Sequence, residues 1–231
     1  MSRNEFFTHR ISAVSLTKSE LDSALKSTDQ SVRLKVALMA GTYPAVDLIE
    51  TLVLRCEVEP DFFVRDMLTW ALIRNDLPLV IKRLTPELLS SNSQARSQAL
   101  HTLTKIGDSS TYPLVSGNLL FDADDKVAMT AWRAASLLAP EDEISKLIPA
   151  LITQLGRGSF EIQFALSRAL CALGDEILEP LEALALSLNS EIREHVAFTL
   201  RLLKNPYLER KLALDFAEKV KVLKGTPEIQ E

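Results

Sequence analysis

The chain has 231 residues, of which 47% are apolar, 25% charged and 6% aromatic, with only 7 glycines. That balance fits one or two mostly helical soluble domains and excludes collagenous, disordered and disulfide-dense chains. Lys and Arg number 26 against 31 Asp and Glu, a net charge of −5, which disfavours an electrostatically driven nucleic-acid binder.

The opening residues, Met1-Ser-Arg-Asn-Glu-Phe-Phe-Thr-His-Arg10, hold no apolar core of secretory length, and no later segment has the apolar run of a membrane helix. A cytoplasmic protein without membrane association is expected, with residues 1–16 as an N-terminal capping segment. Cys56 and Cys171 stand far apart within helical patterns and read as small apolar side chains rather than a bridge.

From residue 17 to 204 the chain repeats a short phrase: a capping residue, two variable positions, a small or β-branched apolar residue, and usually Arg. The copies are Asp29-Gln-Ser-Val32-Arg33, Asp61-Phe-Phe-Val64-Arg65, Asn92-Ser-Gln-Ala95-Arg96, Asp124-Asp-Lys-Val127-Ala128, Ser159-Phe-Glu-Ile162-Gln163 and Asn189-Ser-Glu-Ile192-Arg193. Their apolar anchors lie 32, 31, 32, 35 and 30 residues apart. Asp, Asn and Ser carry oxygens that can accept from the unpaired N–H groups of a helix's first turn, so each phrase is expected to start a helix. Offsets four and eight from the anchors are apolar, as in Leu68, Leu103, Leu170 and Leu200, and make one core stripe at 100° per residue. Gly107-Asp108 and Gly174-Asp175 supply a left-handed stop followed by a capping aspartate.

Between these helices a second one is marked by Pro78, Pro113, Pro149 and Pro180, each followed six residues later by a leucine (Leu84, Leu119, Leu155, Leu186). Proline is tolerated in a first helical turn, where its missing N–H would be unpaired anyway. No strand-like alternation of useful length occurs. The predicted unit is helix, turn, helix, repeated six times, with residues 205–224 as a C-terminal capping helix and 225–231 as a tail.

Paired helices, proline in the first, the cap-x-x-Val-Arg start of the second and Gly-Asp between units resemble HEAT-type repeats, particularly the short bacterial form also found in phycobilin lyases. The resemblance covers about Thr17 to Leu203; it departs at Ala128 and Gln163, which replace the recurrent Arg, and at Gly156-Arg157-Gly158, where the spacing lengthens. It implies an all-α fold, an α–α superhelix built as a HEAT-like helical-hairpin solenoid. Tetratricopeptide and ankyrin signatures are missing.

Opposite the core stripe, offsets two, six and nine share a direction about 220° round from the anchor and are expected to be wet. HEAT-like stacking would line them along a concave surface. Asp66, Trp70, His101, Met129, Arg133, Phe164, Arg168, Phe198 and Arg201 fall there, a set rich in the residue types that dominate binding hot spots. These nine are the candidate partner-binding residues. Trp132 falls beside the stripe and is expected in the core, and Arg33, Arg65, Arg96 and Arg193 are expected to reach capping carboxylates or nearby carbonyls and tie successive units together.

Chemistry is poorly supported. His9, His101 and His195 are scattered, no His or Cys pair has metal-ligand spacing, and neither a phosphate-cradling glycine loop nor a nucleophile elbow occurs. The expectation is a non-catalytic interaction scaffold, without cofactor or metal, that binds an unidentified protein or peptide segment. The alternative is a nucleic-acid-binding HEAT-like protein resembling the HEAT-like DNA glycosylases, in which Asp66, Trp70, Arg133 and Arg168 would hold a damaged nucleotide. The order of aspartate and tryptophan, the lack of a second tryptophan on that face and the acidic balance oppose it.

Overall fold

A computed structural model describes residues 17–205 together with 207, 208, 211, 212 and 214. The N-terminal cap 1–16 and the tail 225–231 lie outside the described residues, as does most of the expected capping helix 205–224. Among the described residues there are twelve α-helices and no strand. The fold is all-α, and none of these helices is long and apolar enough to cross a membrane. The chain divides into two compact units, Met1–Ala134 and Ala135–Glu231.

In the first unit the repeated phrase starts four helices: α2 (Gln30–Thr42), α4 (Phe62–Ile73), α6 (Ser93–Ile106) and α8 (Asp125–Leu138). Asp29, Asp61, Asn92 and Asp124 each accept a backbone N–H of the first turn at 2.8–3.3 Å, a bond contributing about 1 kcal/mol per helix. α2 packs on α4 and α4 on α6. Their seam is the anticipated stripe: Val36, Ala40, Val64, Leu68, Leu72, Ala95, Ala99 and Leu103 are all buried.

The partner helices are α1 (Lys18–Leu25), α3 (Ile49–Val58), α5 (Leu77–Leu84) and α7 (Tyr112–Val115). Pro78 stands in the first turn of α5 as expected. Pro113 belongs to a helix of only 4 residues, flanked by 3-10 turns at Ser109–Thr111 and Asn118–Phe121. Trp132 is completely buried, and its indole N–H donates to the Leu120 carbonyl at 2.8 Å.

In the second unit α9 (Glu141–Ile152) pairs with α10 (Phe160–Cys171), and α11 (Leu178–Leu184) pairs with α12 (Ser190–Lys204). α10 packs on α12 across buried Ile162, Leu166, Leu170 and Val196. Several details differ from the sequence expectation. Pro149 lies inside α9 rather than in its first turn, because the acidic run Glu141-Asp-Glu143 starts the helix two turns earlier, where negative charge is favourable. Ser159 makes no capping bond, and Asp175 sits within a 3-10 turn instead of capping a helix. Leu186 lies beyond the end of α11 and is exposed, and Leu200 is only half-buried.

The lengthened spacing has a specific use. Gly156 and Gly158 both adopt left-handed backbone (φ 82° and 66°), which glycine tolerates without a Cβ penalty. The resulting turn directs the Gly156 N–H onto Nδ1 of His195 at 3.0 Å.

The recurrent arginines form a ladder. Nη1 of Arg33, Arg65, Arg96 and Arg193 donates to carbonyls five or six residues upstream: Ser27 and Thr28, Glu59 and Pro60, Ser90, and Ser187 and Leu188. Each arginine thus stitches the preceding loop to its own helix. Arg33 and Arg96 also pair bidentately with Glu59 and Asp122, each 26 residues onward. These carboxylates are not the capping residues themselves. They lie two residues before the caps Asp61 and Asp124, and each accepts the backbone N–H of its cap.

Candidate functional site

Five candidate residues fall in the first unit. Asp66 and Trp70 project from α4, His101 from α6, and Met129 and Arg133 from α8; Arg133 is exposed and the other four are half-buried. His101 Nε2 approaches Asp66 Oδ1 at 3.9 Å, long for a hydrogen bond. Burial pushes the imidazole pKa down, Lys105 and Arg133 reinforce this, and Asp66 opposes it. His101 is therefore neutral at neutral pH, and the pair is a polar contact.

Trp70 is less available than its direction implies. A Cβ built at Gly41 would stand 2.2 Å from Cε3 and Cζ3 of Trp70, so the six-membered ring of the indole lies directly on the backbone of α2. This explains the glycine within α2: the ring fills the space a side chain would need. Gly41→Ala is accordingly expected to cost about 1–3 kcal/mol through overpacking and to expel the Trp70 ring. The Tm should fall and indole emission should shift to the red, with fully buried Trp132 as the internal reference. Unchanged Tm and emission would show that the helices part without moving the ring.

The other four residues fall in the second unit, Phe164 and Arg168 on α10 and Phe198 and Arg201 on α12. Here the expectation for Phe164 is overturned: it is buried, at 6% exposure, rather than wet. Its direction opposite the core stripe is as deduced, but neighbouring rings close over it. Phe160 stacks on it at 6.3 Å between centroids, Phe198 meets it edge-on at 6.1 Å, and the Arg168 guanidinium lies 5.9 Å from its ring centre. Phe160 and Phe198 also touch each other, at 5.2 Å. Phe160 is 50% exposed and Phe198 half-buried, while Arg168 and Arg201 are exposed. The result is a three-ring cluster on a buried Phe164 base, half exposed at Phe160 and bordered by the Arg168 guanidinium.

Phe160 was not among the residues singled out. The signal was available, since Phe160, Phe164 and Arg168 recur at four-residue spacing and so share one face of a helix. The same position in α4 is Phe62, 52% exposed, with its ring edge-on to Phe63.

Cys56 and Cys171 are not bridged, and burial pushes the Cys56 thiol up to about 12, so it is inert as a nucleophile. Asp122 serves Arg96, and Asp124 caps α8. No group of three or more His, Cys, Asp or Glu among the described residues could hold a metal ion.

No protein-family model matches the chain, and no curated protein matches it. Among solved structures, the chain is similar to a crystal structure of an engineered protein from the Northeast Structural Genomics Consortium. The identity is 19% over 81% of this chain and 96% of that one, with a TM-score of 0.43, a likeness too slight to carry an argument about either fold or function.

Proposed function

We propose that the protein is a non-catalytic, HEAT-like interaction module that binds a partner segment on the outward side of the repeated helices. The observation that carries this reading is the Phe160–Phe164–Phe198 cluster. A half-exposed phenylalanine is ordinary when solitary, but here it belongs to a pre-assembled aromatic platform bordered by Arg168. Aromatic rings already ordered against one another lose little side-chain freedom on binding, and an aromatic anchor with flanking arginines is the usual make-up of a binding hot spot.

The three rings are expected to contribute differently. Phe160→Ala and Phe198→Ala are each expected to weaken partner binding by about 1–3 kcal/mol with a small effect on stability, whereas Phe164→Ala should chiefly lower the Tm. The measurement is affinity capture from native lysate with wild type and each variant, read by quantitative mass spectrometry beside thermal melts. A protein held by wild type and lost from both surface variants supports the module. Identical captured sets would remove the cluster from any binding role, and nuclease-sensitive capture would favour the nucleic-acid alternative.

A further inference from the structure

Within the first unit, two acidic side chains meet where the hairpin of α3 and α4 rests on the hairpin of α5 and α6. Glu57 lies near the end of α3, and Glu87 lies in the 3-10 turn Thr85–Leu89 that follows α5. Both line one small cavity of about 10 Å³, and their carboxyl groups are in hydrogen-bond contact with each other. To the same cavity α4 and α6 contribute only uncharged groups, Leu72 from α4 and Ala95, Gln98, Ala99 and Thr102 from α6. A single cation serves the acids around it. Arg83 of α5 gives Nη1 to Glu87 at 2.5 Å, and its Nε and Nη2 both go to Glu50 on α3. All three guanidinium nitrogens are thus engaged, and none of them reaches Glu57. The backbone offers no relief either. Asn92 Nδ2 donates to the Glu57 carbonyl at 3.0 Å, and Gln94 Nε2 donates to the carbonyls of Cys56 and Glu59 at 2.9 and 3.0 Å, so the end of α3 is fastened to the start of α6.

We propose that Glu57 and Glu87 act as a proton-operated latch on this joint: one proton shared between the two carboxyl groups turns a like-charge contact into a hydrogen bond across the hairpins, and its loss loosens them. The latch goes beyond partner binding and does not depend on it. Burial is the largest influence on Glu57 and raises its pKa; the Glu87 charge and hydrogen bond raise it further, Glu50 adds to this, and Arg83 opposes. Lys18 of α1 acts on Glu50. A carboxyl group whose folded pKa lies above its unfolded value of about 4.3 stabilises the fold fully below that value. This contribution is lost as pH rises through the folded value. The latch is therefore closed in acid and open in alkali.

Glu57→Gln tests this in the full chain, because the amide donates to Glu87 at every pH as the shared proton does only in acid. At pH 8 the variant should melt about 2–4 °C above wild type, and at pH 4.5 the two should melt together. Amide hydrogen exchange of residues 84–90 at pH 8 should be at least about threefold slower in the variant, with α10 and α12 unchanged. Asp47→Asn, which removes one charge at an exposed position, should alter neither reading and so separates the latch from a general relief of the net charge of −5. A Glu57→Gln protein that melts at or below wild type at pH 8 would overturn the proposal, as would a gain that is the same at both pH values. A gain matched by Asp47→Asn, or one with no slowing of exchange at residues 84–90, would overturn it equally.

Discussion

Replacing Glu59 by alanine is expected to cost about 3–5 kcal/mol of stability, more than any other single change on the repeat edge. Its carboxylate is fully buried. Arg33 grips it bidentately, Nε to Oε2 and Nη2 to Oε1, both at 2.9 Å; Arg55 donates from Nε at 2.9 Å, and the Asp61 N–H donates at 3.0 Å. Burial alone would raise the Glu59 pKa, but the bonds from Arg33, the Asp61 N–H and Arg55 outweigh it and hold the group below the usual carboxylate range. Truncation leaves the Arg33 guanidinium, itself only 6% exposed, without a counter-charge, and that uncompensated burial is the larger part of the cost. Asp122 repeats the geometry with Arg96, but both side chains are more open, at 12% and 17% exposure. Asp122→Ala should therefore cost distinctly less. Urea denaturation of Glu59→Ala, Arg33→Ala and the double variant measures the coupling, expected to exceed about 1 kcal/mol. Additive losses would mean that the pair contributes only packing.

Glu59 also marks where sequence reasoning stops. The caps, the anchor stripe and the left-handed turn at Gly107 were legible because each is set by residues within about two helical turns, and such local chemistry survives in any stack of hairpins. That Arg33 and Arg96 would hold something was legible from their recurrence. What they hold was not, since Glu59 and Asp122 are brought to them from 26 residues away by the stacking itself. The candidate face divides along the same line. Helical direction put Phe164 and Arg168 on one side of α10 correctly, but burial depends on what the next helix lays across that side, and Phe198 closes over Phe164. Trp70 is half claimed by α2 for a reason carried by a residue 29 positions earlier, the absent side chain of Gly41. Pro149 shows the opposite failure, a local rule applied too firmly: the start of α9 was set by its acidic first turn instead of its proline.

The second large effect concerns acid. His195 is 1% exposed and its hydrogen bonds form a closed set. Nδ1 accepts from the Gly156 N–H at 3.0 Å, so the ring proton is on Nε2, which faces the Gln163 carbonyl at 2.9 Å and Ser167 Oγ at 3.0 Å. Thr199 Oγ1 donates to the His195 carbonyl at 2.8 Å, which leaves Ser167 to donate to Thr199 at 2.8 Å. Every polar hydrogen is used, and the network has no place for a second imidazole proton, which would point at the Gly156 N–H. Burial accordingly pushes the pKa down to about 4, against the opposing pull of the Gln163 carbonyl. Since an unfolded histidine titrates near 6.5, the unfolded chain binds more protons throughout the window between about 4 and 6.5. The stabilisation is complete above that window and declines as pH falls through it, reaching a loss of about 3 kcal/mol by its lower end. NMR titration of the imidazole protons checks the assignment directly: His195 should remain neutral at pH 5, where an exposed histidine is fully charged. Urea denaturation of wild type and His195→Gln isolates the energetic consequence, because carboxylate titrations shared by both proteins cancel in the difference. Wild type should lose stability more steeply than the variant between pH 6.5 and 4.5, and parallel curves would mean that the proton is accommodated by a rearranged Gly156 turn.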